Sequence, residues 1–214
     1  MDVTRIDESD VGRITSRLFL TEGDRSRNLS GFWVLLVLAG VIATAGVMAD
    51  STATVIGAMI VAPLMTPILG TALAIVLADR RQMLANLALV LGGAAAVVAI
   101  AVAMGMLDVV DITAANNSQV AARVHPHLID LVAALATGLV GAFALLRDDI
   151  SDALPGVAIA ISLVPPLAVV GLTAEAGAWG ESAGALLLFG TNVAAIVATG
   201  TALLLYSRVR RAAR

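Results

Sequence analysis

The chain has 214 residues, of which 59% are apolar and 14% charged, where a typical globular domain runs at about 45–50% and about 25%. A formal charge of −3 offers no basic surplus for a nucleic-acid partner, and the absence of cysteine excludes disulfides and thiolate metal sites. Long stretches carry no charge at all, at the run of about 20 residues that a helix needs to cross a bilayer.

In chain order, the first thirty residues are polar and charged and lack the make-up of a secretory signal. They are assigned to a cytoplasmic amphipathic segment, 1–30. Thr4 and Asp7 have the spacing of a capping box. Val11, Ile14 and Leu18 then recur on one helical face, with Arg13 and Arg17 elsewhere on the surface. Such a face is expected to lie on the membrane surface or to pack on the first loop.

Six apolar segments follow, at 32–49, 53–78, 84–107, 128–146, 153–174 and 183–206. The predicted fold is an all-α polytopic membrane protein: a first three-helix unit at 31–107, an external linker at 108–127, a second unit at 128–206 and a basic cytoplasmic tail at 207–214. With the N-terminus in the cytoplasm, twelve of the thirteen arginines fall inside and Arg123 alone falls outside. That split is a strong positive-inside signal, and it requires an even number of crossings. Trp33, Trp179 and Tyr206 fall near predicted helix ends, where amphipathic rings prefer to sit.

The two units share a motif. Residues 57–70 read GAMIVAPLMTPILG and residues 156–171 read GVAIAISLVPPLAVVG. Each lies in the middle segment of its unit. Three crossings per unit give the units opposite orientations, an arrangement common in secondary transporters. Proline lacks an N–H and crowds the preceding turn, so Pro63, Pro67, Pro165 and Pro166 are expected to break helices 2 and 5. Backbone groups freed at that depth need polar partners, because lipid offers none. Thr66, Ser162, Thr191 and Asn192 are the candidates by position, and with the four prolines they form the expected solute- or ion-binding set. For Asn192 three roles stand open: capping a break, touching the solute, or fastening helices. Asp130, below His125 and His127, reads either as a solvated carboxylate or as part of a two-histidine metal contact. Asp50 and Asp79 read as loop or cap residues, Asp50 for segment 2. Gly40, Gly57, Gly92, Gly93, Gly138, Gly141 and Gly184 admit a compact bundle or a homo-oligomer interface.

Over the stretches VIGAMIVAPLMTPILG (55–70), AIAISLVPPLAVVG (158–171) and LLLFGTN (186–192), the chain resembles the bacterial and archaeal membrane proteins called domain of unknown function 389. The resemblance covers most of the apolar part and implies a cell-membrane location; the family name carries no activity. Function is therefore read from the residues. Passage of a small ion or polar solute is expected, and a non-transporting scaffold or sensor that binds lipid or a partner protein is the alternative. No cofactor and no enzyme activity are expected: Gly-x-Ser-x-Gly, His-Glu-x-x-His and a carboxylate pair at membrane depth are all missing. No arginine is expected near the midplane, which favours a monovalent ion or a neutral solute over a multivalent anion.

Overall fold

The computed structural model describes residues 8–107, 111–146, 163–207 and 209. Among these the secondary structure is entirely helical. In chain order the helices are α1 (Glu8–Leu18), α2 (Arg25–Met48), α3 (Thr52–Val61), α4 (Met65–Leu77), α5 (Arg80–Gly105), α6 (Ser118–Ala121), α7 (Leu128–Leu145), α8 (Val164–Glu175) and α9 (Trp179–Tyr206). Four of them, α2, α5, α7 and α9, are long and apolar enough to cross a bilayer, and a fifth span results if α3 and α4 are taken as one bent element. The chain is thus a multi-pass membrane protein. The expected count of six turns on the stretch before α8, and residues 147–162 lie outside the described residues. So does the Thr4–Asp7 capping box.

The layering follows from where side chains are buried. In α8 every residue from Val164 to Thr173 is buried, and in α4 nearly all are. A helix apolar on all sides belongs in the interior, and these two short helices form the centre. The four long helices surround them and turn large apolar side chains outward. Val34, Leu35 and Leu38 of α2, and Leu84, Leu87 and Leu91 of α5, are exposed. In water such faces would be costly; against acyl chains they are the ordinary solution.

The two central helices share partners. Helix α4 lies against α5 and α9, and α8 lies against α5, α9 and α2. Glycines let these helices approach. A methyl on Gly171 of α8 would sit 2.6 Å from the Val98 carbonyl oxygen of α5, and one on Gly46 of α2 would sit 2.9 Å from the backbone nitrogen of Val55 in α3. Gly40, Gly93, Gly138, Gly141 and Gly184 are likewise consumed by seams within the chain, whereas Gly57 faces open space and Gly92 meets only Trp33.

Two helix ends depart from expectation. Helix α2 starts at Arg25, well before the apolar run, because Asp24 caps it by accepting from the Arg27 N–H at 3.2 Å. Asp50 does not cap segment 2. Ser51 is the N-cap of α3, and its hydroxyl accepts from the Thr54 N–H. Asp50 instead adopts a positive φ of 48° and sends its carboxylate to residues far along the chain. Asp79 does act as a cap, accepting from the Gln82 N–H at 3.0 Å at the start of α5.

The N-terminal helix also finds a different partner. Val11, Ile14 and Leu18 do share one face, as their spacing predicts, but that face is buried against α4. Phe19 extends the contact. The apolar stripe therefore belongs to the protein core; it does not lie on a bilayer surface.

Candidate functional site

The expected interruption of segment 2 is present. Helices α3 and α4 meet at an angle of 47° across residues 62–64. Pro63 has no N–H to give the Met59 carbonyl, and Ala62 turns to an extended conformation with ψ 122°. The ladder resumes with the Thr66 N–H donating to the Pro63 carbonyl at 3.3 Å and the Ile68 N–H to that of Leu64 at 3.4 Å. No side chain caps α4, so its positive end carries only its own backbone donors.

A cavity of about 290 Å³ lies beside this break. Its walls come from α1, α3, α4 and the end of α7, and include Arg17, Leu18, Pro63, Met65, Thr66 and Leu145. The lining is apolar apart from Thr66 and Arg17. Arg17 is exposed, as its place off the apolar face of α1 predicts, yet it also lines this cavity. It reaches the cavity because α1 packs on α4, a contact that a stripe of apolar residues does not reveal.

The other expected site residues fall in three places. Pro67 is buried one turn into α4, where its carbonyl accepts from the Thr71 hydroxyl at 2.8 Å. Pro165 and Pro166 are buried in the first turn of α8, where a missing N–H costs least. Asn192 is buried on α9 at 5% exposure, and among the described residues its Oδ1 has no hydrogen-bond partner. A buried amide oxygen left in that state costs about 1–3 kcal/mol. Thr191 is turned away from Asn192 and bonds back to the Leu187 and Leu188 carbonyls at 2.9 and 3.0 Å. Ser162 lies outside the described residues. Among the described members of the set, only Pro63 and Thr66 line this cavity; Pro67, Pro165 and Pro166 do not.

Sequence reasoning passed over two buried amides. Asn86 of α5 is 2% exposed and its Nδ2 donates to the Gln82 carbonyl at 3.0 Å. Its amide occupies the space that a side chain on Gly70 of the first motif would need. Gln82 joins the α1–α2 connection to α5, accepting from the Thr21 hydroxyl at 2.8 Å and donating to Glu22 Oε1 at 2.7 Å. A polar residue at the edge of an apolar run was the available signal for both.

At the opposite end of α2, the segment 111–127 forms a structured cover, not a simple linker. Asn117 Nδ2 donates to the Val47 carbonyl at 2.7 Å. Asp50 Oδ1 accepts from the Ser118 hydroxyl at 2.7 Å and from the Gln119 N–H at 3.1 Å. The Ser118 hydroxyl above all holds the Asp50 carboxyl below its ordinary range. Burial pushes Arg123 down from the ordinary arginine value while its Nη1 donates to the Gln119 carbonyl at 2.7 Å. Asp130 is tied up locally, accepting from the His127 N–H at 2.8 Å in the first turn of α7. Among the described residues no group of three His, Asp or Glu side chains is placed to hold a metal ion.

The family described as "Domain of unknown function (DUF389)" matches residues 59–198. That span holds every expected site residue, and leaves out α1 with Arg17. An uncharacterized protein of Methanocaldococcus jannaschii is 32% identical over 163 residues, which make up 76% of this chain and 50% of that protein. The chain thus spans about half the length of the curated relative it matches. No solved structure matches.

Proposed function

The chain belongs to the family called domain of unknown function 389, and we propose that it passes a small ion or polar solute across the membrane by a route that opens at the broken α3–α4 element. The observation that supports this reading most is the 47° break with a cavity of about 290 Å³ beside it. A packing kink alone would be filled by neighbouring side chains, as interiors normally are. In this proposal six crossings form two inverted three-helix units. Helices α4 and α8 each pack on α5 and α9, and each carries motif proline in its first turn, which supports that arrangement. Thr66 offers a hydroxyl at the cavity wall, and Asn192 offers a side-chain carbonyl oxygen that has no partner among the described residues. Ser162, Pro165 and Pro166 are assigned the matching place in the second unit on the strength of the repeated motif.

The test is flux through liposomes holding the purified protein, with dyes for monovalent ions and light scattering for neutral solutes. Losing one hydrogen bond of about 1 kcal/mol to a passing solute lowers the rate about fivefold. Thr66→Ala and Asn192→Ala are each expected to show that loss per folded molecule. If neither variant changes flux while Asn192→Ala lowers the melting temperature, the amide fastens helices and the route is elsewhere. If the wild-type protein passes nothing, the scaffold or sensor reading takes over.

Orientation is a separate proposal: both termini are cytoplasmic and segment 111–127 is external. It rests on the twelve-to-one arginine split. Ser26 and Ser118 are both exposed, so each can be replaced by cysteine in this cysteine-free chain. In intact cells an impermeant thiol reagent is expected to label Ser118→Cys and to spare Ser26→Cys. The reverse pattern sinks the orientation.

A further inference from the structure

A second cavity, of about 230 Å³, lies where the α1–α2 connection meets the first turn of α5. Its lining is Thr21, Glu22, Arg25, Arg81, Gln82 and Ala85. The position of its walls is held by Gln82, which is 8% exposed and ties Thr21 and Glu22 to α5 through the two side-chain bonds described above. This stitch brings the first residue of α2, Arg25, and the second of α5, Arg81, to one space. Both guanidinium groups are exposed, and neither has a hydrogen bond or ion pair among the described residues. Glu22 is the one acid in the lining, and its Oε1 accepts from Gln82 Nε2. Two cations against one carboxylate leave the cavity with a positive balance.

We propose that this cavity binds a phosphate group, held between the guanidinium groups of Arg25 and Arg81. Two planar forks facing one space match the tetrahedral oxygens of phosphate, and charge-assisted pairs of this kind are among the stronger hydrogen bonds. The volume equals that of about eight waters, room for a phosphate with part of its hydration shell. The cavity also sits at the polar N-terminal ends of two helices, α2 and α5, that are long and apolar enough to span a bilayer. Beyond Arg81, α5 also turns Leu84, Leu87 and Leu91 outward, on a neighbouring face of the helix. A phospholipid whose phosphate occupied the cavity would place its acyl chains alongside α5. Basic pockets between helices at a membrane surface recognise anionic headgroups by this chemistry.

The experiment uses the full chain purified in a neutral detergent and has two arms. One adds phosphatidylglycerol, with phosphatidylcholine as reference; the other adds inorganic phosphate, with chloride at equal ionic strength. Binding is read as the rise in melting temperature and, for lipid, as adducts retained in native mass spectrometry. The expected result is stabilisation and retention with phosphatidylglycerol over phosphatidylcholine. Arg25→Gln with Arg81→Gln weakens it by about tenfold or more, while Arg27→Gln, outside the cavity, leaves it unchanged. Arg81→Lys keeps the charge and loses the fork, and an intermediate affinity is expected from it even if the double variant folds poorly. Stabilisation by inorganic phosphate in place of lipid assigns the site to a free anion and still supports the clamp. No preference in either arm, or the same preference in Arg81→Gln and wild type, overturns it.

Discussion

Gly171→Ala is expected to lower the melting temperature of the solubilised protein sharply, by a free-energy cost at or above the upper end of the about 1–3 kcal/mol usual for an overpacked core. The added methyl would sit 2.5 Å from Ala101 Cβ, 2.6 Å from the Val98 carbonyl oxygen and 3.0 Å from the Val102 nitrogen. Two of these three atoms are backbone of α5, which cannot swing aside as a side-chain tip can. Relief requires the whole of α8 to move off α5, and α8 is buried along ten successive residues. Gly57→Ala is the control, since nothing lies within 4 Å of its added methyl. Thermal or SDS-driven unfolding of the two variants measures the difference. A Gly171→Ala protein as stable as the control contradicts the close α5–α8 seam.

Ile14→Asp is expected to free α1 from the bundle. Ile14 is fully buried, and removing a side chain of that size from a core costs about 2–5 kcal/mol. A carboxylate at the same place adds a desolvation penalty. Helix α1 has only 11 residues, and an isolated helix of that length is marginal in water. The result is local opening with the four long helices intact. Trypsin cleavage after Arg13 and Arg17 should quicken by about tenfold or more, the factor that each 1.4 kcal/mol of local stability represents. Unchanged cleavage would mean that α1 does not depend on its contact with α4. The same variant bears on function, because α1 supplies Arg17 and Leu18 to the wall of the cavity at the break. If solute enters there, flux through Ile14→Asp rises.

The long spans were legible because a run of some twenty uncharged residues has few other uses. Their ends were less so: the Asp24 cap that starts α2 early lies within a charged stretch, where local chemistry outweighs hydropathy. The α3–α4 break was legible from Pro63, since a missing N–H acts in any surroundings. The stripe Val11–Ile14–Leu18 was legible as a helix face, but bilayer and protein cover such a face equally well, so its partner was not. For the same reason Arg17 could not be placed at the cavity. Asp50 was legible as a loop residue but its bonds were not, because its partners, Ser118 and Gln119, are 68 and 69 residues away. No window along the chain contains both ends of that contact. Asn192 was recognised as an amide in an apolar helix, and its unsatisfied oxygen emerges only once the neighbours are in place.

The cover formed by residues 111–127 has a consequence for how the protein is made. The Val47 carbonyl waits for an amide that is synthesised 70 residues later, and the Asp50 carboxylate waits about as long. During translation the hairpin of α2 and α3 therefore leaves the ribosome incomplete, and it stays so until α5 has been threaded and the chain has turned back. A nascent protein stalled short of residue 117 displays that gap, and a finished one does not. Completion of the first half is thus written into a single patch of hydrogen bonds that joins residues 47 and 50 to residues 117–119.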